Sequence, residues 1–166
     1  MANSNQAGPT KAFYLDDLHV GQRFTSDTHL IDEEQIKAFA KQFDPQPFHL
    51  DAEAAKGTLF EGLVASGWHT AAITMRLLVE SGMPIAGGVI GAGGEITWPT
   101  PTRPGDTLHV ESEVLEVKPS RTRPDRGIAT VRNETRNQHG DTVQILLAKL
   151  VVPRRPSLIT PSALPG

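Results

Sequence analysis

Between Asp32 and Phe43 the apolar residues Ile36, Phe39, Ala40 and Phe43 recur at steps of three and four, which places them along one side of a helix. Asp32 stands at the N-cap position, Gln35 completes a capping box, and Ile31 with Ile36 has the spacing of a hydrophobic staple. Pro45 and Pro47 stop this helix, because each pushes the residue before it out of the α region. Asp44 to Leu50 therefore reads as a kinked, extended segment, after which Asp51 caps a short helix that runs through Lys56 and ends at Gly57. Upstream, Phe13 to Phe24 leads through a turn at Gly21 into a strand over Arg23 to Leu30.

A glycine-punctuated stretch from Phe60 to Gly67 feeds a longer helix. Its predicted buried stripe is Trp68, Ala71, Ala72, Met75, Leu78 and Val79, with the small alanines close against a sheet and Gly82 and Pro84 as the stop. Everything beyond reads as β structure, with strands over Gly94 to Trp98, Thr107 to Val117, Gly127 to Arg136 and Thr142 to Val152. Turn signals at Pro99 to Gly105, Lys118 to Pro124 and Asn137 to Asp141 separate them, and Gly140 suits the last to an antiparallel hairpin. One long helix followed by long antiparallel strands predicts an α+β domain in which the sheet wraps the helix.

A length of 166 residues accommodates one core, so the expected organisation is an N-terminal arm over 1–12, one domain over 13–152, and a proline-rich tail over 153–166. That tail is expected to be extended, or to strap a partner subunit. The composition, 38% hydrophobic and 21% charged, is that of an ordinary globular chain and not of a disordered or collagen-like one. The absence of cysteine removes disulfides, thiolate metal sites and a cysteine nucleophile together, and fits a reducing compartment. Met1 to Lys11 lacks the apolar stretch of a secretory signal, and the apolar run from Ile145 to Val152, broken by Lys149, is far short of the roughly 20 residues that cross a bilayer. The expectation is a cytoplasmic protein without a membrane span. The net charge of −3 divides into an acidic first part and a basic stretch after residue 100, which reads as a mixed solvated surface and offers nucleic acid no footprint.

The segment Phe43 to Asp51 places a carboxylate, Asp44, five residues before an imidazole, His49, on a loop stiffened by two prolines. Acid/base chemistry needs two such groups held within hydrogen-bond reach of one reacting water or carbon, although this spacing also arises by chance. Gly67 opens the long helix, where free N–H groups and the helix dipole can hold developing negative charge and a glycine lets a ligand come close. Tight helix–sheet packing is the commoner reason for an isolated glycine there. His49, Asp51 and Glu53 alternate, but without a His-Glu-x-x-His helix or a spaced histidine cluster they predict no metal site.

On these residues the chain resembles the MaoC-like dehydratases, which include the R-specific enoyl-CoA hydratases. Asp44, Gln46, Pro47 and His49 match a family motif that runs roughly Asp-x-Asn-Pro-x-His, and Ser66, Gly67 and Trp68 match its helix-opening element. Phe60 to Gly62 and Pro99 to Leu108 extend the likeness, which covers about residues 13–152. The resemblance implies a hot-dog fold, dimerisation through the sheets, and reversible addition of water to a trans-2-enoyl-CoA. Asp44 and His49 would then share water activation and proton delivery, with the Gly67 amide on the thioester oxygen. Coenzyme A would enter as part of the substrate, with no separate cofactor and no metal. Gln46 departs from the family's Asn by one methylene, which would mark a subgroup with a different acyl substrate. Ser66, Trp68 and His69 would line the substrate pocket, and Arg121 and Arg123 would meet coenzyme A phosphates, against the plainer readings of a core tryptophan, a structural histidine and a solvated loop. An acyl-CoA thioesterase and a non-catalytic acyl-thioester-binding protein are the alternatives.

Overall fold

The computed structural model describes residues 11–156. Six strands form one sheet: β1 (Arg23–Thr25), β2 (His29–Leu30), β3 (Ile90–Thr97), β4 (Thr107–Pro119), β5 (Arg126–Arg136) and β6 (Thr142–Pro153). The sheet order is β1-β4-β5-β6-β3, with β2 also on β4, and every pairing is antiparallel. The helices are α1 (Glu33–Phe43), α2 (Pro47–Leu50), α3 (Ala52–Lys56) and α4 (Gly67–Leu77), the last prolonged by a wider π turn over Leu78–Gly82. α4 packs on the sheet, the hot-dog arrangement that the sequence led us to expect. Among the described residues, no helix is long and apolar enough to cross a membrane.

Alternation gives the sheet its inner face. Val110, Val114, Val131, Leu150 and Val152 are buried and join Ile36, Ile73, Leu77 and Met83 in one core. The strands are longer than their sequence patterns indicated, and β3 starts at Ile90, ahead of the expected Gly94. The stretch from Arg23 to Leu30 is interrupted into β1 and β2, because the Ser26 side chain takes over the sheet bonding by accepting from Val110 N at 2.8 Å. The hairpin at Asn137 to Asp141 forms as expected: Asn137 Oδ1 accepts from the N–H groups of His139 and Asp141, and Gly140 has φ +82.

The helices bring three corrections. α1 carries half of its capping box: Asp32 accepts from Gln35 N at 2.8 Å, but the Gln35 side chain donates to Leu30 O instead of returning to the cap. The end of its stripe is also lost, since Phe43 is 69% exposed. The segment after α1 is not extended throughout. Pro47 takes the first helical position, which its fixed φ favours, and Pro47–Leu50 closes one helical turn. The third correction concerns the face of α4. Trp68, Ala72, Met75 and Val79 of the predicted buried stripe are exposed, whereas His69, Thr70, Ile73, Thr74 and Leu77 are buried. Only Leu78 of that stripe lies in the core.

Residues 1–10 of the expected arm and 157–166 of the expected tail lie outside the described residues. Where the tail begins, Arg154 and Arg155 bind Asp16 and Asp17 of this same chain, on a short 3-10 turn over Leu15–Asp17.

Candidate active site

Asp44 is the C-cap of α1, and its own N–H donates to Ala40 O. The chain then turns at once, with Gln46 N donating to Asp44 O at 2.8 Å, so that α2 starts directly beneath the carboxylate. His49, on α2, is buried beside it, with Nε2 3.2 Å from Asp44 Oδ2. Val64 fixes this ring: its carbonyl lies 2.7 Å from His49 Nδ1, and its N–H donates to Phe48 O. A carbonyl oxygen can only accept, so Nδ1 carries a proton and the remaining nitrogen, Nε2, is the one presented to Asp44.

Two donors hold the carboxylate. Ser66 Oγ donates to Asp44 Oδ2 at 2.7 Å, and Gln46 Nε2 donates to Oδ1 at 2.6 Å. Partial burial pushes the Asp44 carboxyl upward, but the bonds from Ser66 and Gln46, together with His49, outweigh it and leave the group below the ordinary aspartate value. Asp44 is thus an anion with directed donors on both oxygens. The glutamine that departs from the expected Asn still delivers its amide to the aspartate.

Ser66 also caps α4, its Oγ accepting from Trp68 N at 3.2 Å. Gly67 is the first residue of α4, and among the described residues nothing accepts from its N–H. A cleft of about 330 Å³ opens over these groups and is lined by Asp44, Gln46, His49, Gly67, Trp68 and Thr70, with Phe48, Phe60 and Trp98 among its aromatic walls. Thr102 closes its floor, where Thr102 O accepts from Ala65 N and Oγ1 meets Thr70 Oγ1 at 3.0 Å. An acid/base pair and an unoccupied helix N–H share one partly apolar cleft, which equips it for proton transfer next to a carbonyl.

The other expected residues sit elsewhere. His69 stacks face to face on Phe39 of α1, with centroids 4.6 Å apart and an interplanar angle of 2°, and does not line the cleft. Burial, with a smaller contribution from His29, lowers its pKa to about 4. Arg121 and Arg123 are exposed on the β4–β5 turn. The cleft lies near Val143, at the level of Val110 on β4, and from Val110 to Pro119 the strand runs roughly 30 Å away from it. Conversely, Trp98 and Gln144 were not expected. Trp98 Nε1 donates to Gln144 Oε1 at 2.9 Å, and its ring covers Gly67. The motif-bearing run that starts at Pro99 was the nearest signal in the sequence. Among the described residues no group of three His, Cys, Asp or Glu side chains is arranged to hold a metal ion.

Known proteins share this architecture. The chain is 62% identical to a MaoC-like dehydratase from Rhodospirillum rubrum whose crystal structure matches with a TM-score of 0.86, over 87% of this chain and 99% of that one. The unliganded R-hydratase from Pseudomonas aeruginosa matches with a TM-score of 0.69 at 29% identity, over 92% of this chain and 94% of its own. An uncharacterized protein of Bacillus subtilis, YdeM, is 39% identical over 75% of this chain and 87% of its length. The MaoC-like domain matches residues 18–137, a span that holds both the Asp44–His49 pair and most of the sheet beneath it, and the chain therefore belongs to the family of MaoC-like dehydratase domains.

Proposed function

We propose that this protein is a lyase that adds water reversibly to a trans-2-enoyl-CoA, or removes it from the corresponding 3-hydroxyacyl-CoA. Its family and its likeness to an R-hydratase support hydration or dehydration in general. The observation that carries the finer reading is the approach of His49 Nε2 to Asp44 Oδ2 at 3.2 Å, in a cleft that also bares the Gly67 N–H.

In this reading the thioester oxygen accepts from Gly67 N–H at the positive end of α4, which draws electron density from the double bond and opens the β-carbon to attack. His49 Nε2 takes a proton from water as the water oxygen bonds to the β-carbon, and the Asp44 carboxylate steadies the imidazolium. The π electron pair moves toward the α-carbon and the thioester oxygen, and the Asp44–His49 pair returns one proton to the α-carbon. Both residues end as they began. Such a step needs neither an organic cofactor nor a metal, and coenzyme A enters as part of the substrate.

A homodimer is the proposed working unit. Met75 and Val79 on α4 and Ile90 on the edge strand β3 expose apolar surface beside a strand edge, a combination that favours pairing with a second copy.

The test is a panel of trans-2-enoyl-CoA esters of increasing length, followed by loss of the enoyl thioester absorbance, with thiol release measured alongside. Absorbance loss without free thiol is the expected result. Thiol release would instead identify a thioesterase, and tight binding without turnover at any length would identify a non-catalytic binding protein.

A further inference from the structure

Gln144 is completely buried on β6, and an amide in a core is costly unless its polar atoms are partnered. Its Nε2 donates to Thr74 Oγ1 at 3.0 Å, and Thr74 Oγ1 in turn lies 2.6 Å from Thr135 Oγ1, all three side chains being sealed from solvent. Its Oε1 accepts from Trp98 Nε1 at 2.9 Å. The network reaches the cleft through the Trp98 indole and through Thr70, whose carbonyl accepts from Thr74 Oγ1 at 2.9 Å. Buried polar networks of this kind set orientation more than they add stability.

The orientation set here has a definite consequence at Gly67. A Cβ at that position would lie 2.7, 2.9 and 3.0 Å from Trp98 Cε2, Cδ2 and Cζ2. Near-equal distances to three adjoining ring carbons mean that the indole turns its face to the glycine. Trp68 meets the same ring edge-on, with centroids 5.4 Å apart at 79°. An oxygen that accepts from Gly67 N–H sits about 2.9 Å from that nitrogen. Gly67 and Trp98 line the same cleft, so the carbon next to that carbonyl comes within reach of an indole face whose edge Gln144 holds.

We propose that Trp98 determines specificity at the acyl α-carbon, excluding a branch there, and that Gln144 is its positioning residue. The inference rests on the thioester oxygen binding at Gly67, as in the reading above. A flat, unbranched α-carbon fits beside the ring, whereas an added methyl group meets a ring that the Gln144 bond holds in place. A misfit of one methyl-sized group is worth roughly 10- to 200-fold in selectivity.

Butyryl-CoA and 2-methylbutyryl-CoA, neither of which can add water, test this by calorimetric titration of the wild type, Trp98→Phe and Gln144→Leu. The wild type should hold butyryl-CoA roughly tenfold or more tighter, and each variant should narrow that preference to about threefold. Gln144→Leu should also speed hydrogen exchange at the Trp98 indole N–H, which a structural role away from the ring would not do. Equal binding of the two esters by the wild type, or an unchanged preference in Gln144→Leu, overturns the proposal. Because the readout needs no turnover, selective binding without hydration of any enoyl ester would leave Trp98 its role and overturn the lyase reading. Equal hydration of crotonyl-CoA and 2-methylcrotonyl-CoA would do the reverse.

Discussion

Ser66 joins Asp44 to the start of α4: one hydroxyl donates to Asp44 Oδ2 at 2.7 Å and accepts from Trp68 N at 3.2 Å. The same side chain therefore places the carboxylate and caps the helix whose first residue, Gly67, lines the cleft. Loss of this hydroxyl should be felt both in catalysis and in stability.

In Ser66→Ala, loss of the cap should cost about 1 kcal/mol, measured by urea unfolding. The Asp44 carboxyl, now short of one donor, should titrate higher. A lowered native value means that the charged form contributes stability above the unfolded-state value, and that this is lost as pH falls through the native one. The variant should therefore lose activity at a higher pH on the acid side of its rate profile than the wild type, and Ser66→Thr should restore the profile.

Asp44→Asn and His49→Ala should each reduce enoyl-CoA hydration by roughly 10²- to 10⁴-fold, the range for removal of a positioned acid/base group. Asp44→Asn keeps the size of the side chain, so its loss should appear in kcat with little change in KM. Wild-type rates in both variants would show that the pair has no part in the chemistry.

Gly67→Ala would drive a methyl group to 2.7 Å from the Trp98 ring, too close for any real contact. The indole or the helix start must move, at a cost of about 1–3 kcal/mol for overpacking. A fall in melting temperature together with altered tryptophan fluorescence is expected. A melting temperature equal to that of the wild type would mean that the ring yields freely.

His69 should make the fold sensitive to mild acid. Its native pKa of about 4 lies below the ordinary 6.5, so the unfolded chain binds the proton first. The neutral ring contributes stability above pH 6.5 that drains away as pH falls toward 4. Between pH 7.5 and pH 5 the wild type should lose about 2 kcal/mol from this source. His69→Phe keeps a ring against Phe39 and should lose correspondingly less, as read from paired urea titrations at the two pH values.

Much of the scaffold is local and was readable locally. Asp32 and Asp51 cap the helices they were expected to cap, because an N-cap bond spans only two or three residues. Asp44 and His49 meet for a similar reason, the turn between them being short and stiffened by proline. The face of α4 was not readable, since apolar residues line two sides of it and periodicity cannot choose between them. The buried side includes Thr70 and Thr74, whose hydroxyls reach Ser66 O and Thr70 O one turn back and also meet Thr102, Thr135 and Gln144, from distant strands and loops. The exposed side keeps Trp68, Met75 and Val79.

The sequence by itself thus determined most of the elements, the caps at Asp32 and Asp51, and the approach of His49 to Asp44, all matters of neighbours along the chain. Only the tertiary structure decided that Trp98 lies over Gly67, that His69 faces Phe39 instead of the cleft, and that Arg121 and Arg123 stand at the far end of the sheet. Those contacts join residues far apart in the chain, and they exist only once the strands have paired in register and α4 has been laid across them.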